Sequence, residues 1–157
     1  MCAMQERLNR MDLLLLLLLA DGNKGKNEPI EGKTRLQKQL FLAQKKLQDH
    51  KIEMPYSFRP YHYGPYCKEI YSDINLLEKE GIIKEEEITD YYGGIVRVFS
   101  LTPQGIKEAQ SLIKNTAICA QFNIIQAVKK EYNSMSVVDL VDFTHKAFKD
   151  YAKNSVT

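Results

Sequence analysis

A mainly helical domain with one small β-hairpin is what this 157-residue chain predicts, on three observations. Apolar residues recur at helical period, as Leu36, Leu40, Ala43 and Leu47 in one segment and Ile70, Ile74 and Leu77 in another. Two β-branched runs, 82–88 and 95–101, flank the turn-forming sequence Thr89-Asp90-Tyr91-Tyr92-Gly93-Gly94. The composition is 44% hydrophobic and 27% charged, as in ordinary globular proteins, and the length suits one domain.

The first helix is expected over residues 4–20, with Gly22 as its C-terminal cap. Residues 13–19 are consecutive leucines, fewer than the about 20 apolar residues a membrane span needs. Arg7 and Arg10 ahead of the run suggest a secretory leader. Against that, Glu6 and Asp12 sit in what should be a basic region, and Ala20-Asp21-Gly22 is a poor cleavage site. A helix apolar on every face is more simply one buried inside a domain, and a cytoplasmic protein is expected.

A polar loop over 23–29 leads to a second helix over 32–49. The stretch 54–65 holds two prolines and alternating aromatics, which reads as extended chain with a short edge strand. Pro65 then opens a third helix that Gly81 ends. After the hairpin, Thr102-Pro103 reads as N-cap and first residue of a fourth helix to about residue 114. A fifth helix is expected over 117–132, and a sixth from Ser136 to about residue 151.

This order of helices and hairpin is that of a winged helix, with residues 33–49 and 65–80 as the helix-turn-helix and 91–94 as the wing tip. Residues 1–105 form the winged-helix domain on this reading, and 106–157 a C-terminal helical extension packed on it or pairing two chains. Lys33-Thr34-Arg35-Leu36-Gln37-Lys38-Gln39-Leu40-Phe41-Leu42-Ala43 and Tyr61-His62-Tyr63-Gly64-Pro65-Tyr66 resemble a prokaryotic winged-helix group, the YwgA-like family. Residues 77–83, Leu101-Thr102-Pro103-Gln104-Gly105 and the ending over 140–155 add to the likeness, which implies the fold and assigns no catalytic or ligand residues.

The chain shows little chemistry. Cys2, Cys67 and Cys119 are odd in number, far apart and outside any metal-ligand spacing, so reduced thiols are expected and neither metal nor cofactor is. Tyr61, Tyr63, Tyr66 and Tyr71 around His62 and Cys67 could line a pocket for a ligand or an unstacked base. Packing of a turn against the core explains them more simply. Asp139, Asp142 and His145 share helical spacing, but a solvated face is the expectation. No catalytic residues are identified, and an enzyme is not expected.

Charge is the informative signal. Residues 33–51 hold six basic residues against one acidic, whereas residues 65–90 hold three basic against eight acidic. The acidic stretch includes the helix that would enter a DNA groove, and nucleic-acid affinity depends on neutralising phosphates. One reading is a transcriptional regulator binding double-stranded DNA through Lys33, Arg35, Lys38, Lys45, Lys46 and Arg59, with the loop bearing Lys24 and Lys26. Lys38 and Lys45, two turns apart and outside the leucine stripe, are expected to face solvent. The alternative is a protein-interaction module of antitoxin or adaptor type that binds no DNA. A homodimer is expected through Ile118, Phe122, Ile125, Val138, Val141, Phe143 and Phe148, with no membrane association.

Overall fold

The structure is a computed structural model that describes residues 8–52, 55–61 and 64–152. It has mixed α and β content. Helices α1 (Arg10–Leu19), α2 (Lys33–Asp49), α3 (Glu69–Lys79), α4 (Pro103–Leu112), α5 (Thr116–Tyr132) and α6 (Val137–Ala147) are joined by short strands. The strands are β1 (Ile30–Glu31), β2 (Arg59–Tyr61), β3 (Gly64–Tyr66), β4 (Ile83–Thr89) and β5 (Ile95–Leu101). A 3₁₀ turn over Lys149–Ala152 follows α6.

The helix starts follow local chemistry. The side chains of Asn9, Thr102, Asn115 and Ser136 each accept the backbone N–H three residues on, which satisfies an otherwise orphaned donor. The expected first helix is shorter than its pattern, because Asn9 caps it and Arg10 begins it; the earlier part of that expectation falls outside the described residues. The C-terminal cap expected of Gly22 does not form, since the helix closes at Ala20. The sixth helix ends at Ala147, where Phe148 leaves helical geometry.

α1 is buried on every side, with Leu13 to Leu19 between 0 and 6% exposed. It packs against α4, α5 and β5. The run of leucines is therefore a central core helix, and among the described residues no helix is long and apolar enough to cross a membrane.

Sheet pairing corrects two expectations. The strand joining the hairpin lies at Ile30–Glu31, in the order β1-β5-β4, with Ile30 opposite Phe99 and Glu31 opposite Val98. The segment expected to supply an edge strand instead folds on itself, β2 pairing β3 with Arg59 opposite Tyr66 and Tyr61 opposite Gly64. Pro65 is thus a strand residue facing Pro60, and α3 begins only at Glu69. Two prolines can face one another where the ladder asks neither for an N–H. Gly64, at φ +99°, supplies a conformation other residues avoid.

α5 and α6 belong to the same core as the first 105 residues: Ile118, Phe122, Ile125, Val128 and Leu140 join one cluster with α1 and α2. This bears on the expected dimer surface. Ile118, Phe122, Ile125 and Val141 are buried within the chain and Phe148 packs on the core, leaving Val138 and Phe143 exposed.

Candidate functional site

α2 is where the sequence placed most of the nucleic-acid contacts, and its burial decides what those residues can do. Besides its apolar stripe, Gln37, Lys38, Gln39 and Gln44 are buried, because α5, α6 and β3 cover the helix on several sides. Its glutamines act as clamps. Gln37 accepts the Cys67 N–H (3.0 Å) and donates to the Cys67 carbonyl (2.8 Å), while Gln44 does the same for Tyr56 (2.8 and 2.9 Å). Each amide stands in for a strand partner, satisfying backbone groups that would otherwise be buried unpaired.

Lys38 does not face solvent as expected. It is 2% exposed, its Nζ donates to the Pro65 carbonyl at 3.2 Å, and burial pulls its ammonium down to about 8. Helical spacing does not put Lys38 in solvent because α2 has no free face along residues 36–44. Lys45 is half-buried, its Nζ 5.4 Å from the Phe41 ring centre and 5.3 Å from that of Tyr151. Arg35 donates to the carbonyls of Glu31 and Met135. Lys33 lies 5.1 Å over the Tyr71 ring. Lys33, Lys46 and Arg59 remain exposed, the first two near opposite ends of α2 and the third on β2. The six residues therefore do not form one basic surface.

The acidic side changes as well. Asp73 is buried, accepting from the Tyr56 hydroxyl at 2.7 Å and pairing with Arg10 Nε at 3.0 Å. Its charge anchors the N-terminal end of α1 and does not reach the surface of α3. The solvent side of α3 carries Lys68 and Lys79 among Glu69, Glu78 and Glu80, with Leu76 44% exposed.

Of the aromatic group, His62 and Tyr63 lie outside the described residues. Tyr61 stacks on Tyr66 (ring centres 4.8 Å), and Tyr66 tilts against Tyr71 (6.1 Å). The Cys67 thiol is buried, donates to Glu69 Oε2 at 3.3 Å and is pushed up to about 11, chiefly by burial, which makes it a poor nucleophile. Asp139, Asp142 and His145 do not converge: Asp142 pairs with Lys146 at 2.9 Å, while His145 packs beside Gly64 and Lys38. Among the described residues no cluster of metal-ligating side chains forms.

The hairpin tip, expected as the tip of a wing but given no contact residues, is the most exposed aromatic feature of the described residues. Asp90 accepts the N–H groups of Tyr92 (2.9 Å) and Gly94 (2.7 Å), and its own N–H donates to the Gly94 carbonyl (2.8 Å). The tip is thereby held in one shape, with Tyr91 and Tyr92 94% and 92% exposed and set edge to face. Ile95 beside them is 72% exposed, and Ile88 is partly open. Below, Arg97 bridges Glu85 (2.7 Å) and Glu87 (3.3 Å), leaving the hairpin net acidic. The aromatic pair in the turn sequence was the available signal. No family model matches the chain, and a search of curated proteins gives no match.

Proposed function

We propose that the chain is a winged-helix protein-interaction module whose wing tip docks a protein partner. The winged-helix assignment rests on the element order and on the sheet order β1-β5-β4, in which a short strand after the first helix pairs with the returning strand of the wing. The observation that carries the functional reading is the pair Tyr91 and Tyr92, almost wholly exposed on a tip that Asp90 holds rigid. Exposed tyrosines on a pre-shaped loop offer large contact area at little ordering cost, which is why they concentrate in protein interfaces. The acidic hairpin beneath them favours a basic-rimmed partner surface and repels phosphate.

DNA binding is the reading this one displaces. Its contact helix is largely buried, with Lys38 inside and Arg35 turned onto backbone carbonyls. The deciding experiment pairs two measurements. Purified chain is titrated with duplex DNA across a salt series, and tagged chain captures partners from native lysate with and without nuclease. The expected result is no salt-dependent duplex binding, together with a nuclease-resistant protein partner lost in the Tyr91→Ser/Tyr92→Ser variant. Duplex binding with a steep salt slope overturns the proposal.

A further inference from the structure

The three-stranded sheet ends at β4, and in the order β1-β5-β4 no strand of the described residues lies beyond it. Two bonds fix which of its backbone groups face outward. The Asp90 N–H donates to the Gly94 carbonyl (2.8 Å), and the Thr102 N–H to the Ile82 carbonyl (3.0 Å). In the register of the hairpin, the residues of β4 that bond to β5 are therefore Lys84, Glu86 and Ile88. Antiparallel pairing alternates, so Glu85, Glu87 and Thr89 turn their N–H and C=O groups away from β5. The far side of β5 obeys the same alternation: Arg97, opposite Glu87, accepts the Gly32 N–H at 2.7 Å through its carbonyl. Residues 86–89 are exposed and run straight into the tip that carries Tyr91 and Tyr92.

Charge decides what such an edge accepts. Residues 83–101 hold four acidic residues against two basic, and three of the four are the consecutive Glu85, Glu86 and Glu87 of β4. Arg97 bridges Glu85 and Glu87, and Lys84 pairs with Glu86. Those two cations leave a negative excess, to which α3 adds. Glu78 hydrogen-bonds Glu85, and burial together with that neighbouring carboxylate holds the Glu78 carboxyl above its ordinary range. A second copy paired through the same edge would set these glutamates against one another, and like charges directly opposite destabilise a strand pair. A strand bearing lysine or arginine meets opposite charge there instead.

We propose that the outer edge of β4 takes an extended, basic segment of a partner protein as a fourth strand of the sheet. Main-chain bonds to Glu85, Glu87 and Thr89 supply the affinity, and the glutamates select lysine or arginine side chains. The inference rests on the reading of the hairpin as a docking element and adds how the docked chain lies: along β4, beside the tyrosines of the tip.

The probe is a peptide of alternating lysine and threonine with the 7-residue length of β4, added to the full chain and read by calorimetry and amide hydrogen exchange. Without peptide, the Glu86 and Ile88 amides are expected to exchange slowly and those of Glu85, Glu87 and Thr89 fast. Peptide is expected to slow the latter three at least about tenfold. A fully N-methylated version keeps the charges but has no N–H to donate, and is expected to bind at least about tenfold more weakly. Glu87→Pro removes one outward N–H and spares the bonds to β5, so it is expected to weaken binding well beyond Glu87→Gln, which keeps that N–H. No binding at about 1 mM peptide overturns the proposal. So does equal binding of the N-methylated peptide, equal binding by Glu87→Pro, or unchanged exchange at Glu85, Glu87 and Thr89. The N-methylated peptide and the exchange pattern are read on wild type, so they decide the matter even where Glu87→Pro does not fold. The Tyr91→Ser/Tyr92→Ser variant keeps the edge and is expected to bind the peptide as wild type does. A tyrosine-dependent partner captured by a chain that ignores the peptide sinks this inference alone, whereas peptide binding with no partner captured sinks the docking reading alone.

Discussion

Lys129, in the last turn of α5, closes the end of α1: its Nζ lies 2.7 Å from the Ala20 carbonyl and 3.2 Å from that of Leu18, 111 residues earlier. The last carbonyls of a helix have no partner within it. Here Lys129 takes two and the Asn27 amide takes that of Leu19. Lys129→Met removes a buried charge but strands both carbonyls. We expect a loss of about 2–4 kcal/mol by urea unfolding, given the usual cost of an unpaired buried polar group. Wild-type stability in this variant would show that the carbonyls find other partners.

The two buried lysines give stability a direction with pH. Burial pulls Lys129 down to about 7 and Lys38 to about 8 when folded, whereas both titrate near about 10.5 when unfolded. Below about 7 both states hold these protons, and the folded state carries the full desolvation penalty. From there toward about 9.5 the unfolded state binds more protons, so stability rises with pH. The Tyr56 hydroxyl, raised by burial and by its bond to Asp73, reverses the trend at still higher pH. Melting curves are expected to climb between pH 7 and about 9.5, less steeply in Lys38→Met. A flat profile would count against both shifts.

Lys38 and Lys46, two turns apart on one helix, should differ sharply in their tolerance of the same change. Lys38→Glu buries a carboxylate against the Pro65 carbonyl and is expected to lose more than about 3 kcal/mol. Lys46→Glu, on an exposed position, should stay within about 0.5 kcal/mol. Denaturant midpoints of the two variants decide the matter, and equal midpoints would contradict the burial of Lys38.

Gly105 sits in the first turn of α4, its N–H donating to Thr102 Oγ1 at 3.0 Å, and a Cβ there would run into the Ile82 carbonyl. That carbonyl also accepts the Thr102 N–H at 3.0 Å, so it cannot retreat without loosening the sheet end. Gly105→Ala is expected to cost about 2–3 kcal/mol, although alanine ordinarily favours helix. A stabilised variant on thermal melting would mean the two segments separate easily.

The local features were legible in the chain itself. Thr102-Pro103 capped a helix, Asp90 through Gly94 turned a hairpin, and Ser136 opened α6, because capping and turn chemistry act over a few residues. The burial of the leucine run also followed, since a helix apolar all round can only lie inside. The pairing of β2 with β3 was misread because one proline suits a strand edge or a helix start equally well, and the pairing of Pro60 with Pro65 chose between them.

Exposure of the polar side chains was decided by tertiary structure. A helical wheel assigns Lys38 to a polar face, but α5, α6 and β3 return from farther along the chain to cover it. The same long-range packing turned Asp73 inward onto Arg10 and Tyr56 and set Lys129 at the end of α1. Sequence determined where each element starts and which face is apolar, because backbone capping and hydrophobic period are local. Which charges meet water depends on what packs against them from a hundred residues away, and only the folded chain holds that.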